Sequence, residues 1–209
     1  MEKITVVTSI TGDKDDLKPI DNPEKGVKYI CFTDDLTIDP KGWELRRVCD
    51  KFSPLLNAKI HKVLIHKYIK GNTIWVDGSV HIRVPIKDTF EEYTGDYDIA
   101  VYSHDKWSKR QGLTIYEEAR IIEESGKEDP IKIHEILAHN EYPQGRSLPI
   151  CGVIYRKDTQ DNARRNERWW SEICRWSDRD QLSFPYVYKE YKEIDGKIQD
   201  IFNIQQHKK

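Results

Sequence analysis

Three short apolar segments each end in a polar turn, and this repeated pattern limits the fold more than any other feature of the sequence. The segments, each with the first residue of its turn, are 4–10 with Thr11, 27–33 with Asp34, and 73–76 with Asp77. Short, continuously apolar segments are typical of strands that are buried on both faces, as in parallel sheets. Parallel strands have their carboxyl ends at one edge, where open α/β sheets bind ligands, so the pattern predicts one binding site at that edge.

Helical patterns alternate with these strands along the chain. Further strands are predicted at 43–48, 98–102 and 149–155, and helices at about 53–70, at 114–126 and around 169–176. The sequence between Gly126 and the last of these strands is predicted to be a polar loop. The alternation favours an α/β fold with an open, mostly parallel, twisted sheet flanked by helices. No Gly-, Ser- or Pro-rich linker divides the chain, so we expect a single domain over 1–209.

Charge and composition exclude several classes of function. Lys and Arg total 34 against 36 for Asp and Glu, which argues against a nucleic-acid partner. The first residues lack a signal-peptide pattern, and no apolar segment is long enough to span a membrane. The four cysteines lack metal-ligand spacing. We therefore expect a cytoplasmic protein with reduced thiols.

Motifs of several common enzyme classes are missing. The sequence has no phosphate-binding loop of the GxxxxGK[ST] type, no GxGxxG, no HExxH and no GxSxG. What remains is a set of acids at strand ends and basic residues on the helix predicted at about 53–70. Asp77 is central to this set, because a carboxylate there can hold Mg²⁺ or Mn²⁺ on a diphosphate. The alternative is an ordinary turn aspartate followed by a glycine.

Seven short blocks occur in a fixed order between residues 4 and 187. They are TSITG at 8–12, YICFTDD at 29–35, GWEL at 42–45, KVLIHKY at 62–68, IWVDGS at 74–79, IYEEA at 115–119 and RDQLSF at 179–184. In this order they resemble the plant mucilage-type glycosyltransferase-like family and its bacterial relatives in polysaccharide loci, which are similar to GT-A glycosyltransferases of the family-eight kind. The resemblance implies a hexosyltransferase-like enzyme that moves a sugar from a nucleotide-sugar donor, a UDP-sugar, to a glycan or other hydroxyl acceptor.

The resemblance also implies roles for individual residues in binding the donor and a metal ion. The implied donor-binding residues are Thr8, Ile10, Thr11, Asp34, Lys62, Asp77 and Gly78. Asp77 and Ser79 stand where GT-A enzymes carry the two acids of their DxD motif, and His207 would be a further ligand of Mn²⁺ or Mg²⁺. Serine at the second position leaves one carboxylate and weakens the case for tight metal binding.

For the acceptor we expect contacts from Gly152, Trp170 and Gln181. A glycine lets a sugar approach the backbone, and an indole ring can stack on a sugar. The alternatives are a bend in the strand for Gly152 and a place in the core for Trp170.

Two charged residues each have two interpretations. By resemblance, Asp180 is the catalytic residue, which acts as a base or positions the acceptor hydroxyl. The alternative is that Asp180 serves only the start of a helix, since the pattern at 177–180 fits a cap. Lys62 and Lys67 both lie in the block KVLIHKY, and one of them would neutralise the donor diphosphate; Lys62 is preferred because it lies on the polar face without interrupting the apolar stripe. The alternative for Lys62 is a solvated face of its helix. For the whole chain, the first alternative to a glycosyltransferase is a catalytically silent GT-A-like binding domain. A nucleotidyltransferase is the second and less favoured alternative.

Overall fold

The computed structural model describes residues 3–48, 51–104, 113–126, 128–140, 142 and 147–205. The strands are β1 Ile4–Ile10, β2 Val27–Thr33, β3 Glu44–Arg47, β4 Asn72–Val76, β5 Val80–Ile82, β6 Ile99–Ser103, β7 Pro149–Arg156, β8 Lys192–Glu193 and β9 Phe202–Ile204. The helices are α1 Pro54–Val63, α2 Thr89–Thr94, α3 Ile115–Glu124, α4 Pro130–Asn140, α5 Gln160–Arg175, α6 Asp180–Val187 and α7 Ile198–Ile201, with a 3₁₀ turn at Ile65–Lys67.

Seven of these strands form one sheet in the order β3-β2-β1-β4-β7-β6-β8. The pairs β2–β3, β1–β2, β1–β4 and β6–β8 are parallel, whereas β7 runs antiparallel to both of its neighbours. Strands β5 and β9 pair separately as an antiparallel ribbon. The predicted fold class, a single α/β domain with a mostly parallel sheet flanked by helices, is confirmed; the span of the domain over 1–209 stays a prediction.

The two faces of the sheet are buried under different helices. Val6 and Ile74 belong to the core on one face, which α2 and α7 cover. Val7 and Trp75, one residue further along each strand, belong to the other face, under α1, α5 and α6. Side chains alternate between the faces of a strand, so continuously apolar segments such as β1 need cover on both. None of the helices in the described ranges is long and apolar enough to cross a membrane.

The predicted polar loop after Gly126 is wrong in part, because α4 occupies Pro130–Asn140. Ile133 and Ile136 of this helix are buried with Leu182 in a third, smaller core beside α3. The apolar stripe of α4 is short in the sequence, because the next buried residue on the face of Ile133 and Ile136 is the polar Asn140. Packing of this face against α3 and α6 stabilises the element.

Candidate active site

The turns after β1, β2 and β4 lie at one edge of the sheet. Ile10 is paired with Thr33 and Val7 with Trp75, so these parallel strands end side by side. The prediction that Thr11, Asp34 and Asp77 share this edge is confirmed. Two neighbouring depressions open there, a large cavity of about 710 Å³ and a small cavity of about 310 Å³, and Asp13 and Asp15 line both.

The turn after β1 connects this edge to the start of α1. The Thr11 hydroxyl donates to the carbonyl of Pro54 at 2.7 Å, and the Gly12 N–H donates to Asp34 Oδ2 at 2.7 Å. Gly12 has a φ of 62°, and a Cβ there would lie 2.7 Å from the Cβ of Pro54. Only glycine fits this turn without a shift of α1. The turn therefore fixes where α1 begins and holds Asp34 close to the cavity rim.

Two lysines and two aspartates form an ion cluster at the floor of the large cavity. Lys62 Nζ lies 2.6 Å from Asp180 Oδ2 and 3.1 Å from Asp77 Oδ1, and Lys59 Nζ lies 3.0 Å from Asp180 Oδ1. The side chain of Lys62 is 5% exposed, that of Asp180 is 11% exposed and that of Asp77 is 37% exposed. The cluster carries two positive and two negative charges, so its net charge is zero.

Three elements bring the ion cluster together. Lys59 and Lys62 are three residues apart on α1 and so lie on one face of the helix. Asp77 follows β4, and Asp180 is the first residue of α6. The interpretation of Lys62 as part of a solvated helix face is wrong, because the C-terminal half of α1 is covered by α5 and α6. Arg156 of β7 donates from Nη1 to the Lys62 carbonyl at 3.0 Å and anchors this end of α1 to the sheet.

Asp180 lies within the first turn of α6 but does not cap it. The N-cap residue is Arg179, and no side chain forms the cap hydrogen bond. Burial by itself would raise the pKa of Asp180, but the ammonium groups of Lys59 and Lys62 outweigh burial and hold this pKa well below its usual range. Asp180 is therefore ionised at neutral pH. The capping interpretation is wrong, and the carboxylate is the counter-ion of two lysines.

Lys62 is also charged despite its burial. Burial alone would lower its pKa, but the carboxylates of Asp180 and Asp77 raise it above the usual value. A buried charge that keeps its counter-ions within contact distance avoids most of the cost of losing water. The Lys62 side chain is therefore a positively charged group at the floor of the large cavity.

Asp77 is fixed by its neighbours on the sheet. Its Oδ1 accepts hydrogen bonds from Trp75 Nε1 at 2.7 Å and from Lys62 Nζ at 3.1 Å. Its backbone N–H donates to the Gly152 carbonyl at 2.8 Å. A Cβ at position 152 would lie 3.3 Å from Asp77 Oδ2, so glycine there leaves room for the carboxylate. These contacts distinguish Asp77 from an ordinary turn aspartate.

The start of α6 is held in place by two further contacts. Gln181 lines the large cavity and donates from Nε2 to the Pro149 carbonyl of β7 at 2.8 Å. Trp169, fully buried in α5, donates from Nε1 to the Asp180 carbonyl at 3.2 Å. Both bonds fix the backbone that presents Asp180 to the lysines.

The structure brings together about half of the predicted site residues. The large cavity is lined by Thr11, Lys62, Asp77, Gly78, Asp180 and Gln181, and the small cavity by Ile10 and Asp34. Neither cavity is lined by Thr8, Ser79, Gly152 or Trp170. Thr8 and Ser79 are buried, whereas Trp170 packs edge to face against Phe52. His207 lies outside the described residues.

Among the residues that line the large cavity without having been predicted, Lys59 and Trp75 contact the predicted aspartates directly. The spacing of Lys59 and Lys62 on one helix face was a usable signal, since two neighbouring ammonium groups suit an anion better than one. Trp75 carried no comparable signal, because an indole in an apolar strand is more often core. Its N–H reaches Asp77 because residues i and i+2 lie on the same side of an extended segment.

The described residues do not fit the metal ion that a GT-A fold implies. Asp77 Oδ1 already accepts from an indole and an ammonium group, and the positive charge of Lys62 repels a second cation. Ser79 is buried and lines neither cavity. No group of three or more His, Cys, Asp or Glu side chains in the described ranges is placed to hold a metal ion. A contribution from His207 stays a prediction.

Comparison with solved structures shows the same fold in known glycosyltransferases. The apo form of the glycosyltransferase GlyE of Streptococcus pneumoniae TIGR4 matches with a TM-score of 0.52 and 9% identity, over 91% of this chain and 44% of that one. The bifunctional glycosyltransferase WbbM in its apo form matches with a TM-score of 0.52 and 11% identity, over 90% of this chain and 37% of that one. The chain thus spans less than half the length of either. No curated protein sequence matches the chain.

The family model described as TOD1/MUCI70, glycosyltransferase-like domain, matches residues 51–209, well over half of the chain. The matched part includes the whole ion cluster, since α1, Asp77 and α6 all lie within it. The strands β1, β2 and β3 precede it and complete the parallel half of the sheet. The chain belongs to the TOD1/MUCI70 glycosyltransferase-like family.

Proposed function

We propose that the chain is a glycosyltransferase that binds a nucleotide-sugar donor in the large cavity and transfers the sugar to a hydroxyl group of a glycan acceptor. One observation carries the proposal: two charged, largely buried lysines lie at the floor of a cavity of about 710 Å³ at the carboxyl edge of the sheet. Small-molecule sites are typically about 300–1,000 Å³ in volume. A cavity of this size with fixed ammonium groups suits a ligand that is part sugar and part diphosphate.

The two cavities suggest how such a donor lies. The small cavity contains Asp34 and opens beside the turn at Thr11 and Gly12, so it suits the nucleoside, for which we propose uridine. The large cavity contains Lys59 and Lys62 and suits the diphosphate and the sugar. Ser53 and Pro54, at the N-terminus of α1, line the same cavity, and the dipole of a helix favours an anion at that end.

The ion cluster supports a chemical role in the transfer. As the bond to the sugar breaks, negative charge develops on the departing nucleoside diphosphate, and the ammonium groups of Lys59 and Lys62 stabilise it. Asp180 is within contact distance of both lysines and faces the cavity in which the sugar would lie. A carboxylate with so low a pKa is a weak base. When the diphosphate binds to the two lysines, their positive charge stabilises the Asp180 carboxylate less. Only then does Asp180 accept a proton from the acceptor hydroxyl.

A donor panel tests the proposed function. The protein is incubated with UDP-, GDP-, CMP- and dTDP-sugars and a hydroxyl acceptor, and the release of free nucleotide is measured. We expect release from one donor, and its loss in Lys59→Met, which keeps the length of the side chain without the charge. Lys132→Met is the matched control, because Lys132 is exposed on α4 and pairs with Glu128. Release that is equal in both variants would contradict the role of the ion cluster.

A second candidate function is a binding domain that holds a sugar nucleotide without transfer. Two observations favour it: Ser79 replaces the second acid of the GT-A motif, and both oxygens of Asp180 contact lysines in the free protein. Such a domain would bind the donor, with a raised melting temperature, but would release no nucleotide when an acceptor is added. The same panel separates the two functions.

A further inference from the structure

Most carboxylate oxygens of the ion cluster already contact ammonium groups, which leaves few of them as ligands for a metal ion. Of the four carboxylate oxygens of the ion cluster, three already contact an ammonium group: both of Asp180 and Oδ1 of Asp77. The remaining one, Asp77 Oδ2, belongs to a group whose other oxygen contacts Lys62. Mg²⁺ and Mn²⁺ need several oxygen ligands and are repelled by a neighbouring ammonium group.

The lysines supply the charge that a metal ion would bring. Together Lys59 and Lys62 carry two positive charges, as one divalent cation does. An ammonium group has three N–H donors, and within the ion cluster Lys62 uses two of them and Lys59 one. Both lysines line the large cavity, so their further donors can reach a bound anion. Lys62 is also fixed in position, because Arg156 holds its backbone and its side chain is 5% exposed.

We propose that the diphosphate of the donor binds directly to Lys59 and Lys62, without a divalent cation. The inference rests on the proposed function only in taking a nucleoside diphosphate as the ligand. Phosphate oxygens accept hydrogen bonds from the two ammonium groups and compete with Asp180 for them. The site thus exchanges one anionic partner for another, and its two positive charges stay compensated in both states.

Binding measured with and without metal tests the inference. Pyrophosphate and UDP are titrated calorimetrically into the protein in EDTA, and again in an excess of MnCl₂ or MgCl₂. Pyrophosphate serves because its binding does not depend on the identity of the base. We expect binding in EDTA that is at least as tight as binding in the presence of the metal, which itself complexes the free ligand, whereas a site built on a metal ion would lose on the order of tenfold or more in EDTA.

Substitutions at Lys59 connect the binding to the lysine pair. Lys59→Met should weaken pyrophosphate binding in EDTA by about tenfold, and Lys59→Arg should restore most of it, since arginine keeps the charge. Lys132→Met should bind as the unchanged protein does. Lys59 is the better choice for substitution, because Lys62 is more deeply buried and its loss threatens the fold.

Each result bears on the inference separately from the proposed function. Binding that requires Mn²⁺ or Mg²⁺ overturns the inference, and so does the absence of binding under both conditions. Binding in EDTA that Lys59→Met leaves unchanged also overturns it. Binding in EDTA with the expected loss, but without transfer of sugar from any donor, supports the inference and refutes the proposed enzyme.

Discussion

Replacing Asp180 by asparagine should lower stability and strengthen anion binding at the same time. If Asp180 were only a helix cap, asparagine could replace it with little loss of stability. In the structure the substitution raises the net charge of the ion cluster from zero to one, around an ammonium group that is 5% exposed. Removing one partner of a buried ion pair lowers the free energy of unfolding by about 3–5 kcal/mol. The side-chain oxygen of the new asparagine still accepts a hydrogen bond from one lysine, which limits this loss to about 3 kcal/mol. For a protein of this size that corresponds to a melting temperature roughly 6–12 °C lower.

The same substitution removes the competitor of an incoming diphosphate. The removed charge lies within 3.0 Å of both lysine ammonium groups, so an anion that binds there no longer has to displace it. We expect pyrophosphate to bind about tenfold more tightly, which corresponds to about 1.4 kcal/mol and is well below the Coulomb energy of two unit charges at this distance. Sugar transfer should fall on the order of 10²-fold, because an amide does not accept the proton of the acceptor hydroxyl.

Differential scanning calorimetry and isothermal titration of pyrophosphate measure the two effects on one preparation. Asp195→Asn is the matched control, since Asp195 is exposed and the same chemical change there should alter neither quantity. An Asp180→Asn protein with unchanged melting temperature and weaker pyrophosphate binding would refute the reasoning, because Asp180 would then not be the counter-ion of the lysines.

Three further predictions concern the same cavity. Asp77→Ala should reduce sugar transfer on the order of 10²-fold. It should cost only about 1 kcal/mol of unfolding free energy, because the Asp77 side chain is 37% exposed. A much lower melting temperature with full specific activity would instead show that Asp77 is a structural turn residue. Gly152→Ala should displace the Asp77 carboxylate by a few tenths of an ångström and lower transfer about tenfold, with little change in the melting temperature; unchanged kinetics would contradict this role. The pKa of Asp180 is depressed in the folded protein, so its ionised carboxylate stabilises the fold above the ordinary pKa of about 3.8, and this stabilisation is lost as the pH falls below that value. The melting temperature of Asp180→Asn should lack this part of the dependence on acid pH. Identical pH profiles of the two proteins would contradict the role of Asp180 as a counter-ion.

The location of the site could be predicted from the sequence because it depends on strand ends. The apolar segments of β1, β2 and β4 set the register of the parallel strands, and the polar turns at Thr11, Asp34 and Asp77 must then share an edge. The position of a strand end is a local property of the sequence. This part of the prediction therefore needed no information about how the helices pack.

The ion cluster could not be predicted in the same way, because it depends on contacts between distant segments. A helical wheel places Lys62 on the polar face of α1, and only the packing of α5 and α6 against that face buries it. For Asp180 the local sequence suggested a helix cap, since the partners that give it another role lie on α1. Ser79 was expected at a metal site, but it lies beside the β5–β9 ribbon, where its carbonyl accepts from the Gln205 N–H.

The serine at position 79 is consistent with the charge balance of the ion cluster. With one acid after β4, the two lysines face two carboxylates, and the net charge is zero. A second acid that reached the cavity, as the GT-A motif would provide, would make the cluster negative and would compete with the diphosphate for the same ammonium groups. A metal ion would then be needed to restore attraction for the donor. If the diphosphate binds without a divalent cation, as we propose, then the serine at position 79 and the two largely buried lysines are parts of one arrangement, in which fixed positive charges of the chain take the place of a bound cation.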